Sequence, residues 1–274
     1  MIETLLLVGG GIAAGLFGSL LGLGGGILIV PLLTLGFGLP LLTAVGVSLI
    51  CVIVTSGASA AVFLERRVAN LRLGMTLELF TACGALLGGL VAFLLPENLL
   101  ELLFAALLAY VAATMARGLR GSTDDAPADP ASEPAGSGPE AGFVARLSGP
   151  GYRVRNVGLG AVGSVGAGVA SALLGIGGGL VKVPVMHVVM GVPLRVATAT
   201  SNLMIGITAS ASAIVYLLRG GIDPYAATPT AIGVFLGASL GSRVAHRIDL
   251  RVLRGLFVVI LLYTAWQMLQ RAIA

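Results

Sequence analysis

The sequence predicts an all-α polytopic membrane protein made of two inverted repeats. Each repeat is a glycine-interrupted re-entrant helical hairpin followed by three transmembrane helices. Three observations carry this prediction. Of the 274 residues, 57% are hydrophobic and only 10% are charged, against about 25% charged in a soluble domain. The sequence aligns with itself, without a gap, at a shift of 153 positions. The arginines also gather on one side of the apolar segments, provided that the first segment of each repeat turns back within the membrane.

Several apolar runs reach the ~20 residues that a helix needs to cross a bilayer. The N-terminal stretch "MIETLLLVGGGIAAGLFGSLLG" has no basic n-region and carries Glu3. It reads as a retained membrane segment rather than a cleaved signal peptide. The net charge of +4 follows the loops between apolar runs. Cys51 and Cys83 both lie in apolar segments and read as free thiols packed as small hydrophobes; a disulfide or sulfur relay is the alternative.

The internal repeat is specific. Under the shift, Gly22 falls on Gly175, Gly24–Gly26 on Gly177–Gly179, and Pro31 on Pro184. Ser48 falls on Ser201, Thr55 on Thr208, and Tyr110 on Tyr263. "GALLG" at Gly84 meets "GASLG" at Gly237. Repeated units at a fixed offset decide domain organisation before any local signal does. The first membrane repeat is expected over residues 1–117 and the second over 153–274, with a linker over 118–152. The linker holds "GSTDDAPADPASEPAGSGPEAG", whose Pro, Gly, Ser and acid content predicts a disordered cytoplasmic segment.

Hydropathy marks three clear spans in each repeat. They fall near Leu41–Leu64, Leu73–Leu95 and Leu99–Ala116, and again near Val196–Leu218, Tyr225–Ser242 and Val252–Gln270. Each repeat opens with a longer apolar stretch, Ile2–Leu39 or Val157–Val192. As one helix the first would be about 55 Å long, beyond the ~30 Å hydrocarbon core. Loop charge favours a hairpin. If each long stretch crosses once, Arg195, Arg243, Arg247, Arg251 and Arg254 fall outside the cell, leaving ten of fifteen arginines inside. If each turns back, only Arg219 and Arg271 fall outside, leaving thirteen inside. The second arrangement fits the positive-inside rule and makes the repeats inverted, with both termini extracytoplasmic.

The breaks read "LLGLGGGILIVP" from Leu20 and "LLGIGGGLVKVP" from Leu173. Interior glycine costs a helix about 1 kcal/mol relative to alanine. Non-helical backbone at membrane depth is tolerated only against protein or a water-filled cavity. Glycine-interrupted segments at matching places in inverted repeats point to a transporter's binding site. The N–H groups opening the following helix favour an anion.

These two motifs, each followed by "GLP" or "GVP" and a Ser/Thr-rich helix, resemble the TauE/SafE family of sulfite and organosulfonate exporters. The resemblance covers both halves outside the linker. It implies anion transport across the bacterial inner membrane and leaves the anion and the direction open; the function expected here is a secondary transporter that moves a small sulfur-containing or organic anion, such as sulfite or sulfoacetate, by alternating access and in the export direction. The implied partners are the bilayer, the small anion and a coupling proton or ion. No nucleic acid, cofactor, metal cluster or nucleotide motif is expected, and no enzymatic activity.

The candidate substrate-binding residues are Gly24, Gly25, Gly26, Ser48, Gly177, Gly178, Gly179, Lys182, Thr198, Ser201 and Asn202. The glycines permit close backbone approach. Lys182 is the one basic residue inside an apolar segment, and an intramembrane charge marks function by default; the structural alternative is snorkelling. Ser48, Thr198, Ser201 and Asn202 offer donors to a dehydrated oxyanion, or hydrogen bonds between packed helices. His187 and Glu78 are the proton-relay candidates, with Glu78 also read as an acid reaching the cytoplasmic interface. An anion channel is the alternative function. An intramembrane serine protease, suggested by "GASA" at Gly57 and "GASL" at Gly237, is the weaker one.

Overall fold

The computed structural model describes residues 2–21, 25–65, 69–120, 147–149, 152–244 and 250–273. Regular structure among them is helical throughout. The first half contains α1 (Ile2–Leu21), α2 (Gly26–Pro31), α3 (Leu41–Glu65), α4 (Leu71–Ala92) and α5 (Glu97–Arg120). The second contains α6 (Val157–Leu174), α7 (Gly179–Pro184), α8 (Leu194–Leu218), α9 (Pro224–Val244) and α10 (Leu250–Ile273). The starts of α2 and α7, α3 and α8, α4 and α9, and α5 and α10 all differ by 153 residues. Both α2 and α7 end at a proline and continue as one π-helical stretch, Leu32–Gly36 or Val185–Val189. A proline at that place removes a backbone donor and displaces the i−4 carbonyl.

Six of the described helical stretches are long and apolar enough to cross a membrane: Ile2–Leu20, Leu71–Ala92, Glu97–Ala116, Val157–Leu174, Val196–Leu218 and Gly255–Ile273. This is a multi-pass membrane protein. Helices α1 and α6 are among the six, so the first arm of each opening segment is as long as a full span. The sequence reading counted only the later three stretches of each half. Gly11 and Gly15 of α1 serve contact, each lying against the backbone of α9 at Thr230 and Val234. Gly233 and Gly237 of α9 lie against the backbone of Val8 and Ile12, and Gly241 lies against that of Leu16. Thus α1 and α9 run parallel, pressed together through small residues. Gly84 and Gly88 of α4 meet Val165 and Val169 of α6 in the same way.

The short helices fold back on the long ones. Gly163 faces Val185 and Gly160 faces Met190, while Gly178 sits beside the Ala167 carbonyl. The Arg155 N–H donates to the Met190 carbonyl at 3.0 Å. The segment α6–α7 is therefore a hairpin whose end returns to its start. In the first half, Gly10 faces Leu32 and Gly25 lies near the Ala14 carbonyl, the same antiparallel return.

Direction can be read from other contacts. Gly74 near the start of α4 meets Thr200 near the start of α8, and Gly89 meets Val215 near the end of both. Helices α4 and α8 therefore run parallel. Glu101 near the start of α5 feels Arg271 near the end of α10, so that pair runs antiparallel. The Arg271 guanidinium also donates to the Thr34 carbonyl at 2.8 Å.

The chain that follows the linker is anchored on α4. Asn70 caps α4 by accepting from the Leu73 N–H at 3.1 Å. Its amide donates to the Leu147 carbonyl at 2.8 Å and the Tyr152 hydroxyl at 2.7 Å. Burial pushes the Tyr152 phenol above its ordinary value, and the Asn70 bond opposes this. Leu147 and Val154 join Leu73, Leu77, Met186 and Met204 in a separate apolar cluster. The sequence-predicted linker lies mostly in 121–146, outside the described residues, as do Gly24 and most of the stretch from Gly22.

Candidate functional site

The two glycine breaks pack against each other. Gly25 and Gly178 adopt left-handed conformations with φ of 76° and 74° and precede α2 and α7. A side chain is strained there and glycine is not. Gly175 and Gly177 are also left-handed, with φ of 68° and 75°. A Cβ on Gly26 would stand 2.6 Å from the Gly175 carbonyl oxygen. The Ser48 hydroxyl stitches the two breaks together, donating to the Gly175 carbonyl at 2.7 Å with the Gly26 carbonyl at 3.3 Å. Ser48 is thus consumed by structure.

Beside this junction lies a cavity of about 250 Å³. Helix α7 gives it Gly179, Leu180, Val183 and Pro184; α8 gives it Thr198, Ser201, Asn202 and Ile205; α5 gives it Tyr110, Val111 and Thr114. The sequence-predicted residues Gly179, Thr198, Ser201 and Asn202 therefore converge. Spacing of three and four along α8 puts them on one face. The Ser201 hydroxyl is buried without a hydrogen-bond partner among the described residues. A buried polar group left unpaired costs about 1–3 kcal/mol. Thr198 donates back to the Leu194 carbonyl, which leaves its oxygen free to accept. The residues lining the cavity carry no formal charge.

Lys182 does not line this cavity. It points off the opposite face of α7, 1% exposed, and its ammonium donates to Glu78 at 2.9 Å and to the Thr208 hydroxyl. Thr208 in turn donates to the second carboxylate oxygen of Glu78 at 2.6 Å. Glu78 is buried in mid-α4, which overturns its reading as an interfacial acid. The cause is Lys182: a lone buried carboxylate would be untenable, and the pair makes both charges tolerable. His187 stands apart, its Nδ1 against the Val192 carbonyl at 2.9 Å. Cys51 is buried, but Cys83 is exposed on α4, and both are free.

Sequence reasoning missed α5 as a cavity wall and missed the Lys182–Glu78 pairing. Tyr110 and Thr114, four apart in an apolar span, were a weak signal for the first. The second had a stronger one: an acid and a base each isolated in apolar segments need each other.

Residues 7–268 match the family model described as "Sulfite exporter TauE/SafE". The chain belongs to the TauE/SafE family. Its members are membrane transporters, not enzymes, so this chain is a transporter. It is 24% identical to "Probable membrane transporter protein YunE" of Bacillus subtilis, over 99% of each chain. It is 29% identical to "Probable membrane transporter protein MamO" of Magnetospirillum gryphiswaldense, covering 37% of this chain and 17% of that one. No solved structure matches it.

Proposed function

We propose that this transporter is a secondary carrier that exports a small sulfur-containing or organic anion, of the sulfite or organosulfonate kind, across the bacterial inner membrane. The observation that carries the reading is the uncharged cavity at the glycine junction, with the unpaired Ser201 hydroxyl, the Asn202 amide and the first residues of α7 on its wall. Hydroxyl, amide and backbone donors suit a compact oxyanion stripped of water. Two inverted repeats are supported by helix directions, and a linker on the cytoplasmic side by the arginine count. If α6–α7 crossed the membrane once, α4 and α8 would oppose each other; they run parallel, as a returning hairpin requires. In that topology the cavity lies in the half of the molecule nearer the linker, because it is formed by the first turns of α8 and the later turns of α5. A site reached from that side suits loading for export. Rocking of the helices around the junction would then open it to the other side.

The test is ligand-induced thermal stabilisation of the purified transporter by sulfite, thiosulfate, sulfoacetate, sulfolactate, sulfate and small carboxylates. At least one anion should stabilise the wild type. Ser201→Ala should weaken its binding about tenfold or more, since hydrogen bonds to charged groups contribute about 1.5–3 kcal/mol. Equal affinity in Ser201→Ala would move the site elsewhere. Cysteines placed at Ser132 and after Ala274 should react with an impermeant thiol reagent from opposite sides; reaction from one side would sink the inverted arrangement.

A further inference from the structure

Helix α7 is a thin wall with two different faces. Gly179, Leu180, Val183 and Pro184 line the cavity, and Lys182 projects behind them into a closed pocket made by Glu78 of α4 and Thr208 of α8. The pair has no repeat-related counterpart: the position matching Lys182 is Ile29 in the first half, and the one matching Glu78 is Ala231 in the second. A buried ion pair is weak support for stability, because desolvating both charges offsets their attraction. Packing alone would be served as well by apolar residues, so the pair calls for another role.

Two further features sit at the same wall. Among the described residues, two buried side-chain oxygens lack partners, Ser201 and Ser171. They flank the glycine break: the Ser201 hydroxyl is 3.5 Å from where a Cβ of Gly179 would be, and the Ser171 Cβ is 3.3 Å from that of Gly178. The Lys182 stem passes the same spot, its Cε 3.5 Å from the Gly178 position. At Gly178 the stem shares its space with the Ala167 carbonyl and Ser171, and at Gly179 an Ile205 methyl fills the Cβ position, so an ammonium released from Glu78 passes the break only as Ile205 turns aside, with the unpaired Ser201 hydroxyl beyond it.

We propose that Glu78 is the proton-coupling residue of the transporter: when it takes up a proton, Lys182 is released past the Gly178–Gly179 break toward the Ser201 side of the wall, and its charge draws a monoanion into the cavity, so that proton and anion travel together. This rests on the reading of the cavity as an anion site. The charges balance. Ionised Glu78 and Lys182 sum to zero; a proton from water on the carboxylate leaves a net charge of plus one, and the monoanion cancels it. The carried species is then the neutral acid. The groups that face Glu78 are Lys182 from α7 and Thr208 from α8; α6 brings Ser171 beside the Lys182 stem. Arg72 and Cys83 of α4 are exposed, and His187 is bonded elsewhere.

The experiment uses methanesulfonate, a monoanion whose charge does not change over the working range, with the full-length transporter in detergent micelles. Wild-type affinity should fall by about tenfold or more between about pH 5.5 and pH 8.5, about 1.4 kcal/mol. Glu78→Gln, which keeps the shape and remains neutral, should bind as tightly as acid wild type at both pH values. Glu78→Gln/Lys182→Met, lacking both charges, should bind weakly at both and so separates lost coupling from lost folding. A flat wild-type profile with tight binding, or an unchanged pH slope in Glu78→Gln, would overturn the coupling and leave the anion site standing. A wild type that binds no methanesulfonate at any pH would overturn both.

Discussion

Placing a methyl group at Gly26 is the sharpest probe of the glycine junction. The new Cβ would stand 2.6 Å from the Gly175 carbonyl oxygen, 2.7 Å from a Val52 methyl and 3.1 Å from the Ser48 hydroxyl. Val52 can rotate, but the Gly175 oxygen belongs to the backbone and already accepts from Ser48. Restoring ordinary contact at 3.4 Å requires the two glycine breaks to separate by about 0.8 Å. Overpacking of this kind costs about 1–3 kcal/mol, and a loosened Ser48 bond adds about 1 kcal/mol. Gly26→Ala should therefore lose about 2–4 kcal/mol. Gly9→Ala is the matched control. It lies on the exposed face of α1 with nothing within 4 Å of its Cβ, so it should gain about 0.5–1 kcal/mol from helix propensity. Equilibrium unfolding of both variants in mixed micelles, titrated with dodecyl sulfate, reads the two signs together. A Gly26→Ala protein as stable as wild type would refute the close approach of the two breaks.

Lys182→Met should destabilise by about 3–5 kcal/mol, because it strands Glu78 in the interior; adding Glu78→Gln should recover most of the loss in the same titration. Asn70→Ala should cost about 1–2 kcal/mol through its lost cap and speed limited proteolysis between Leu147 and Asn156, which it anchors. The Tyr152 contact has a pH sign. Its folded value lies above the ordinary 10.0, so the docking energy is present below that value and is lost as pH rises through the folded one. Accelerated cleavage on the alkaline side, absent in Tyr152→Phe, would show this.

The sequence alone determined the membrane class and most helix positions. Apolar length is a local property, and a repeat shift reads directly from the chain, so Leu41–Leu64 became Leu41–Glu65 and Val196–Leu218 became Leu194–Leu218 with little change. That Gly179, Thr198, Ser201 and Asn202 share one cavity was legible for the same reason: a glycine break and a helical spacing of three and four are local signals. What the tertiary structure decided was which repeat-related residue is free. Ser48 and Ser201 occupy equivalent positions, yet Ser48 is spent on the Gly175 carbonyl while Ser201 is unpaired. Lys182 looked like a ligand for an anion, and it faces Glu78 instead, 104 residues away in the chain. The wall supplied by α5 was equally hidden. Charge pairing, hydroxyl satisfaction and cavity shape depend on which helices touch, and in a bilayer, where every exposed face is apolar, hydropathy does not specify those neighbours.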